Sequence, residues 1–335
     1  MAIPQSPEAR RPDRAPEAAR RARDRVLARA LSLGVISRAD HDAARIERVP
    51  HTRREFPKLA AHLAESEADA RKTQIVHRMT IDAQIQAALE QAALDHARPL
   101  GQGLSAALLA VDHATGHVLA HVGSAGYFDE ARGGANDMTK AVRSPGSTLK
   151  PFIYGLAFEA GLAHPETLIE DRPTRFGAYV PKNFDQDWHG TVSIREALAQ
   201  SLNIPAVKVL DAVGPARLYG RFQRTGVTPV LPKDAEPNLA MALGGVGLRL
   251  SDLATLYASL ARGGSAIALT HRRDQDPAHA ARSADRAELL SPVAAWHVGD
   301  ILRHAPPPAN ARGGQIAYKT GTSYGYRDAW AVGFD

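Results

Sequence analysis

The chain has no cysteine among its 335 residues. Disulfides and thiolate metal sites are thereby excluded, while an oxidising compartment is permitted without being required. Aromatic residues are scarce, at 6%, and they do not interleave with basic clusters, so nothing supports nucleic-acid binding. No run of about 18 apolar residues occurs, and no signal peptide opens the chain. His113, His117 and His121 are spaced four apart, as zinc ligands on a helix would be. The turn-forming Ala114-Thr115-Gly116 between them denies the three a common helical face. No cofactor and no metal is expected.

What is present suffices for one large domain with extras, since 44% of the residues are apolar. The net charge of +5 is uneven: residues 1–78 hold 17 Lys+Arg against 11 Asp+Glu. Such a segment could favour anionic headgroups. However, Ala18 to Leu33 has the pattern of an amphipathic helix, with Val26, Leu27, Ala30 and Leu31 on one face and arginines on its solvated side. Pro50, Pro57 and dense charge mark residues 50–78 as a linker, and a helix is expected from about Thr80 to Ala97. His271 to Ala287 suggests an exposed loop, and Pro306-Pro307-Pro308 a rigid spacer.

Three short motifs stand in order. Ser147-Thr148-Leu149-Lys150 is S-x-x-K, Ser201-Leu202-Asn203 is S-x-N, and Lys319-Thr320-Gly321-Thr322-Ser323 is K-T-G-T-S. After the Pro145-Gly146 turn, Leu149, Phe152, Ile153 and Leu156 recur at helical spacing. Pro151 falls in the first turns, where a missing N–H costs little, and Gly161 closes the segment. Ser147 and Lys150 then share a face, about 5–6 Å apart at Cβ. A serine hydroxyl needs an adjacent base, and a lysine can be that base only if burial and a neighbouring cation keep it neutral. Ser193 to Glu196 is a capping box that starts a helix leading to Ser201. Pro205 and Gly214 bound the next helix, so Ser201 and Asn203 lie in a connection between the two. Gln315 to Ser323 and Ala329 to Phe334 pattern as paired strands. Gly321 inside a strand implies a close approach to its backbone, which a bound substrate would supply. Lys319, Thr320 and Thr322 suit a substrate carboxylate. Taken singly, S-x-x-K reads first as a capped helix and S-x-N as a polar capping loop, and K-T-G-T-S has the alternative of an edge strand protected by its lysine.

Together the three resemble the transpeptidase domain of a penicillin-binding protein. Arg143 to Phe152 matches the family's nucleophile block. The stretch from Tyr318 to Phe334 is similar to class A bifunctional enzymes of the 1C type. Asn183-Phe184-Asp185 with Gly190, Leu243-Gly244-Gly245 ahead of a helix from Ser251 to Ala261, and the strand-turn-strand from Ala106 to Gly123 match as well. The resemblance implies an α/β fold of the penicillin-binding-protein and serine β-lactamase type, an antiparallel sheet flanked by helices plus an all-α subdomain, with a helical N-terminal segment. Residues 1–49, beginning with Ile3-Pro4-Gln5-Ser6-Pro7, resemble the tail of a glycosyltransferase domain. With the linker between, residues 79–335 would be the transpeptidase domain, its last strand and helix lying beyond Asp335. The chain thus has the look of a fragment cut at both ends.

The implied activity is D,D-transpeptidation of peptidoglycan stem peptides ending in D-Ala-D-Ala, with covalent β-lactam binding. Ser147 would be the nucleophile, Lys150 its base and Ser201 a proton relay. Asn203 would hold the acyl-side amide; Lys319, Thr320, Gly321 and Thr322 would line the carboxylate end. Backbone N–H groups of Ser147 and Thr322 would form the oxyanion hole. The membrane would be reached through an upstream anchor, at the periplasmic face of the inner membrane. A D,D-carboxypeptidase or β-lactamase on the same scaffold, and a non-catalytic penicillin-binding module, remain alternatives. Glu236, 33 residues after Asn203, sits where a β-lactamase places a deacylating carboxylate, but its context is that of an ordinary loop.

Overall fold

The computed structural model describes residues 8–48, 58–101, 103–274, 287–308 and 312–335. Ile3 to Pro7, Pro50, Pro57 and most of the loop expected after His271 lie outside them. The chain forms two compact units, Met1–Lys58 and Leu59–Asp335.

The first unit holds α1 (Pro16–Ser32) and α2 (Arg38–Ile46). Helix α2 opens with a capping box between Ser37 and Asp40. The apolar face expected of α1 is only partly covered: Ala19 and Ala22 are its buried residues, while Val26 is exposed. Two short helices cannot bury a full stripe of large side chains.

The second unit begins inside the stretch expected to be a linker. Ala61–Ala70 form α3, which buries His62, Leu63 and Glu67. His62 Nε2 bonds Gly134 O at 2.7 Å, and His271 Nε2 lies 2.7 Å from Glu67 Oε1. Alanine-rich composition favours helix here despite the charge. Helix α4 (Ala83–Ala97) is capped by Asp82, whose carboxylate accepts from Gln84 N and Ile85 N.

Strands β1 (Leu108–Val111) and β2 (Val118–Val122) pair antiparallel around the expected turn. Strands β3 (Leu168–Asp171) and β4 (Gly190–Ser193) form a second pair. Strands β5 (Ala317–Thr322) and β6 (Ala329–Phe334) form a third, with Lys319 opposite Val332 and Gly321 opposite Trp330. Among the described residues the antiparallel sheet expected takes the form of three two-stranded pieces. Helix α9 (Leu250–Ala261) packs against both β1 and β6, so side-chain packing joins the first and third pairs.

The core is built on α5 (Lys150–Glu159), which is buried from Lys150 through Ala157. A helix apolar on all sides must lie inside, and α7 (Asn203–Val213) and α10 (Pro292–Arg303) cover it. Phe152 meets Phe222, from α8 (Pro215–Arg224), and Tyr257 edge-on, each with centroids 5.4 Å apart. Helix α6 (Ile194–Ala199) starts at the expected Ser193–Glu196 capping box.

Candidate active site

Ser147 lies in a 3-10 turn, Gly146–Leu149, that runs directly into α5. Pro151 occupies the first turn of the helix, and Gly161, with φ +66°, follows its end. Leu149, Phe152, Ile153 and Leu156 are all fully buried, so the apolar spacing fixes which way the serine turn faces.

Three glycines clasp that turn. Gly146 has φ +55°, and a Cβ there would sit 2.5 Å from Thr322 O and 2.7 Å from Thr322 N. A Cβ on Gly244 would meet Gly146 N at 2.4 Å, and one on Gly321 would meet Pro145 O at 2.4 Å. Real Cβ contacts do not come this close, so the serine turn, β5 and the Leu243-Gly244-Gly245 segment touch backbone to backbone. At Gly321 the close approach is made by the serine turn itself, through Pro145 O and Thr148. Hydrogen bonds brace the same turn. Ser144 Oγ donates to Gly244 O (2.7 Å), Trp330 Nε1 to Ser144 O (2.8 Å) and Tyr257 OH to Thr148 O (2.9 Å). Neither Tyr257 nor Trp330 carried a sign in the sequence, because each acts on a segment distant in the chain.

Lys150 is fully buried. Its Nζ donates to Ser201 O at 2.5 Å and to Asn203 Oδ1 at 2.6 Å, with Ser201 Oγ farther off at 3.4 Å. Burial, and secondarily the Lys319 ammonium, holds Lys150 well below the usual lysine range. Lys319 is 4% exposed, and burial lowers it to about 8. Its Nζ donates back to Thr320 O at 3.0 Å. The two-residue period of β5 turns Lys319 and Gly321 inward and leaves Thr320 and Thr322 exposed.

Ser201 is half-buried between α6 and α7, in the left-handed region at φ +62°. Such a conformation is uncommon outside glycine and costs about 1–3 kcal/mol unless its surroundings enforce it. Asn203 is the first residue of α7, one step further into the helix than expected. Its side chain is held at both ends: Oδ1 accepts from Lys150 Nζ, and Nδ2 donates to Lys182 O at 2.7 Å.

S-x-x-K, S-x-N and K-T-G-T-S thus meet around Lys150. Glu236 does not join them; it is exposed in a separate loop, where its carbonyl accepts from Asn238 Nδ2 at 3.0 Å. Of the spaced histidines, His113 belongs to the β1–β2 turn. His117 precedes β2, and His121 lies on β2 with Nε2 3.1 Å from Asp137 Oδ2.

The family described as "Penicillin binding protein transpeptidase domain" matches residues 106–335. The chain is 42% identical over 340 residues to penicillin-binding protein 1C of Escherichia coli K12, covering 99% of this chain and 42% of that protein. Penicillin-binding protein 1A of Neisseria flavescens is 32% identical over 262 residues, covering 71% of this chain and 31% of that protein. In fold, the crystal structure of penicillin-binding protein 1A from Haemophilus influenzae superposes with a TM-score of 0.69 at 18% identity. That match covers 99% of this chain and 72% of the other. The chain therefore spans well under half the length of the curated relatives it matches. It belongs to the penicillin-binding protein family, related to the 1C type, and residues 106–335 are its transpeptidase domain.

Proposed function

We propose that this domain cross-links peptidoglycan through an acyl-enzyme on Ser147, and that it takes stem peptides ending in D-Ala-D-Ala. The observation that carries the proposal is Lys150. It is fully buried beside Lys319, with both potential N–H donors of a neutral amine facing carbonyl oxygens. A neutral amine has two N–H groups and one lone pair, and its lone pair is left to take a proton. Lys150 receives the Ser147 Oγ proton as Oγ bonds the carbonyl carbon of the penultimate D-Ala. The C–N bond then breaks as Ser201 gives its proton to the departing D-Ala amine and takes one from the Lys150 ammonium, which becomes neutral again. An acceptor amine attacks the ester, its proton leaves by the same groups, and Ser147 is regenerated.

Gly146 rests against the Thr322 backbone, which supports an oxyanion hole made of Ser147 N–H and Thr322 N–H. Asn203 borders the acyl-side amide. The exposed Thr320 and Thr322 hydroxyls hold the terminal carboxylate at the glycine-bearing strand, with Lys319 supplying positive field from its buried face. β-Lactams acylate Ser147 by the same steps, but ring opening leaves no separate amine to depart. No helix among the described residues is long and apolar enough to cross a membrane. The whole protein is proposed to be anchored through an upstream segment at the periplasmic face of the inner membrane and to carry a peptidoglycan glycosyltransferase domain. Residues 1–49 are then the tail of that domain, and residues 79–335 are the transpeptidase.

Incubation with a D-Ala-D-Ala pentapeptide and an excess of an amine acceptor tests the reaction. Release of D-Ala with the acyl group moved to the amine is expected. Release with only hydrolysed peptide at high acceptor concentration would assign the domain to the carboxypeptidases.

A further inference from the structure

Helix α7 has no cap of its own: its N-cap position is Leu202, which has no side-chain hydrogen bond to offer. The first N–H groups of a helix need partners from elsewhere, and a loop twenty residues upstream supplies one. Asn183 Oδ1 accepts from Asn203 N at 2.8 Å and from Ile204 N at 3.4 Å. Its Nδ2 donates to Asp171 Oδ2 at 2.7 Å and to Asp187 O at 2.9 Å. Two acceptor sites and two N–H groups exhaust what an asparagine amide can offer. Asn183 is 4% exposed and Asp171 is fully buried. Asp171 Oδ2 also accepts His189 N at 2.9 Å. The Asp171 and Asp187 oxygens therefore fix which way the Asn183 amide faces, because the opposite orientation would set Oδ1 against them and NH2 against the α7 N–H groups.

The consequence reaches the base. Lys182, the neighbour of Asn183, gives its carbonyl to Asn203 Nδ2. With the backbone N–H of Asn203 held by Asn183 and its NH2 held by Lys182, Asn203 can present only Oδ1 to Lys150 Nζ. We infer that Asn183, oriented by Asp171, is a positioning residue for transpeptidation: it sets Asn203, and through Asn203 the direction of the Lys150 lone pair. This rests on Lys150 acting as base to Ser147, as proposed above. The group acts through Asn203 and touches neither substrate nor Ser147.

The test is the benzylpenicillin acylation rate of the full chain, measured per folded molecule below every variant's melting temperature. The noncovalent affinity is separated from the bond-forming step. Asn183→Ala and Asn183→Asp should slow the bond-forming step at least tenfold and change the noncovalent affinity less than twofold. Asn183→Asp keeps one oxygen for the α7 N–H groups but sets the other against Asp171 Oδ2 and the Asp187 carbonyl, so it disturbs the cap as Asn183→Ala removes it. Wild-type rates in both single variants overturn the inference. So does a loss that only follows the unfolded fraction. Failure of the site assignment looks different: wild type would then not label at Ser147 at all.

Discussion

A lysine can act as a base near neutral pH only when its ammonium form is penalised, and two penalties fall on Lys150: complete burial and the cation of Lys319. The acylation rate should therefore rise with pH along a limb lying well below 10.5. Lys150→Arg, which keeps the charge and cannot surrender it near neutrality, should abolish acylation. Removing Lys319 takes away one of the two penalties, so Lys319→Met should move that limb to higher pH. The same substitution has an opposite face in stability. Lys319 titrates near 10.5 when unfolded and at about 8 when folded, so the unfolded chain binds the proton more tightly. Stability rises with pH between those values, and below about 8 the full cost applies, of order 3 kcal/mol. Lys319→Met should accordingly melt higher than wild type at pH 7, with the advantage closing as pH approaches 10.5. An unchanged melting difference across that window would contradict the burial of Lys319.

At the scale of elements, the site depends on backbones that touch. Gly321→Ala places a methyl group against Pro145 O and Thr148, a conflict that costs about 1–3 kcal/mol when cores are overfilled. It should lower the melting temperature and slow acylation at least tenfold, as the serine turn is pushed from β5. Acylation at the wild-type rate would show that the close approach is dispensable. Tyr257→Phe removes the donor to the buried Thr148 carbonyl and should destabilise by about 1–3 kcal/mol, read from urea unfolding. The periodicity of residues 149–156, the Ser193–Glu196 capping box and the alternation of β5 were legible in the sequence because each is a local code. The demand for glycine at 321 was legible too, but the group that imposes it was not, since Pro145 lies far off along the chain. Ser201 gave no local sign of its left-handed backbone. Asn183 gave none of its capping role, for which the only hint is a leucine where α7 should have a polar cap. The helix inside the expected linker was obscured by its charge, and the sequence did not show that the antiparallel strands would stand as three pairs, the first and third joined through α9.

At the scale of the molecule, the second unit surrounds α5, so the Ser147 turn inherits its rigidity from the core. Phe152→Ala should cost about 3–5 kcal/mol and reduce the folded fraction more than the acylation rate of the molecules that remain folded. The central claim, that Ser147 is the nucleophile served by Lys150, is tested most directly by mass. Wild type treated with benzylpenicillin should gain one acyl mass, and digestion should place it on the peptide containing residues 144–150. Ser147→Ala should melt like wild type and gain nothing. A persistent adduct on Ser147→Ala, or one that maps to Ser201 or Ser323, would contradict the account.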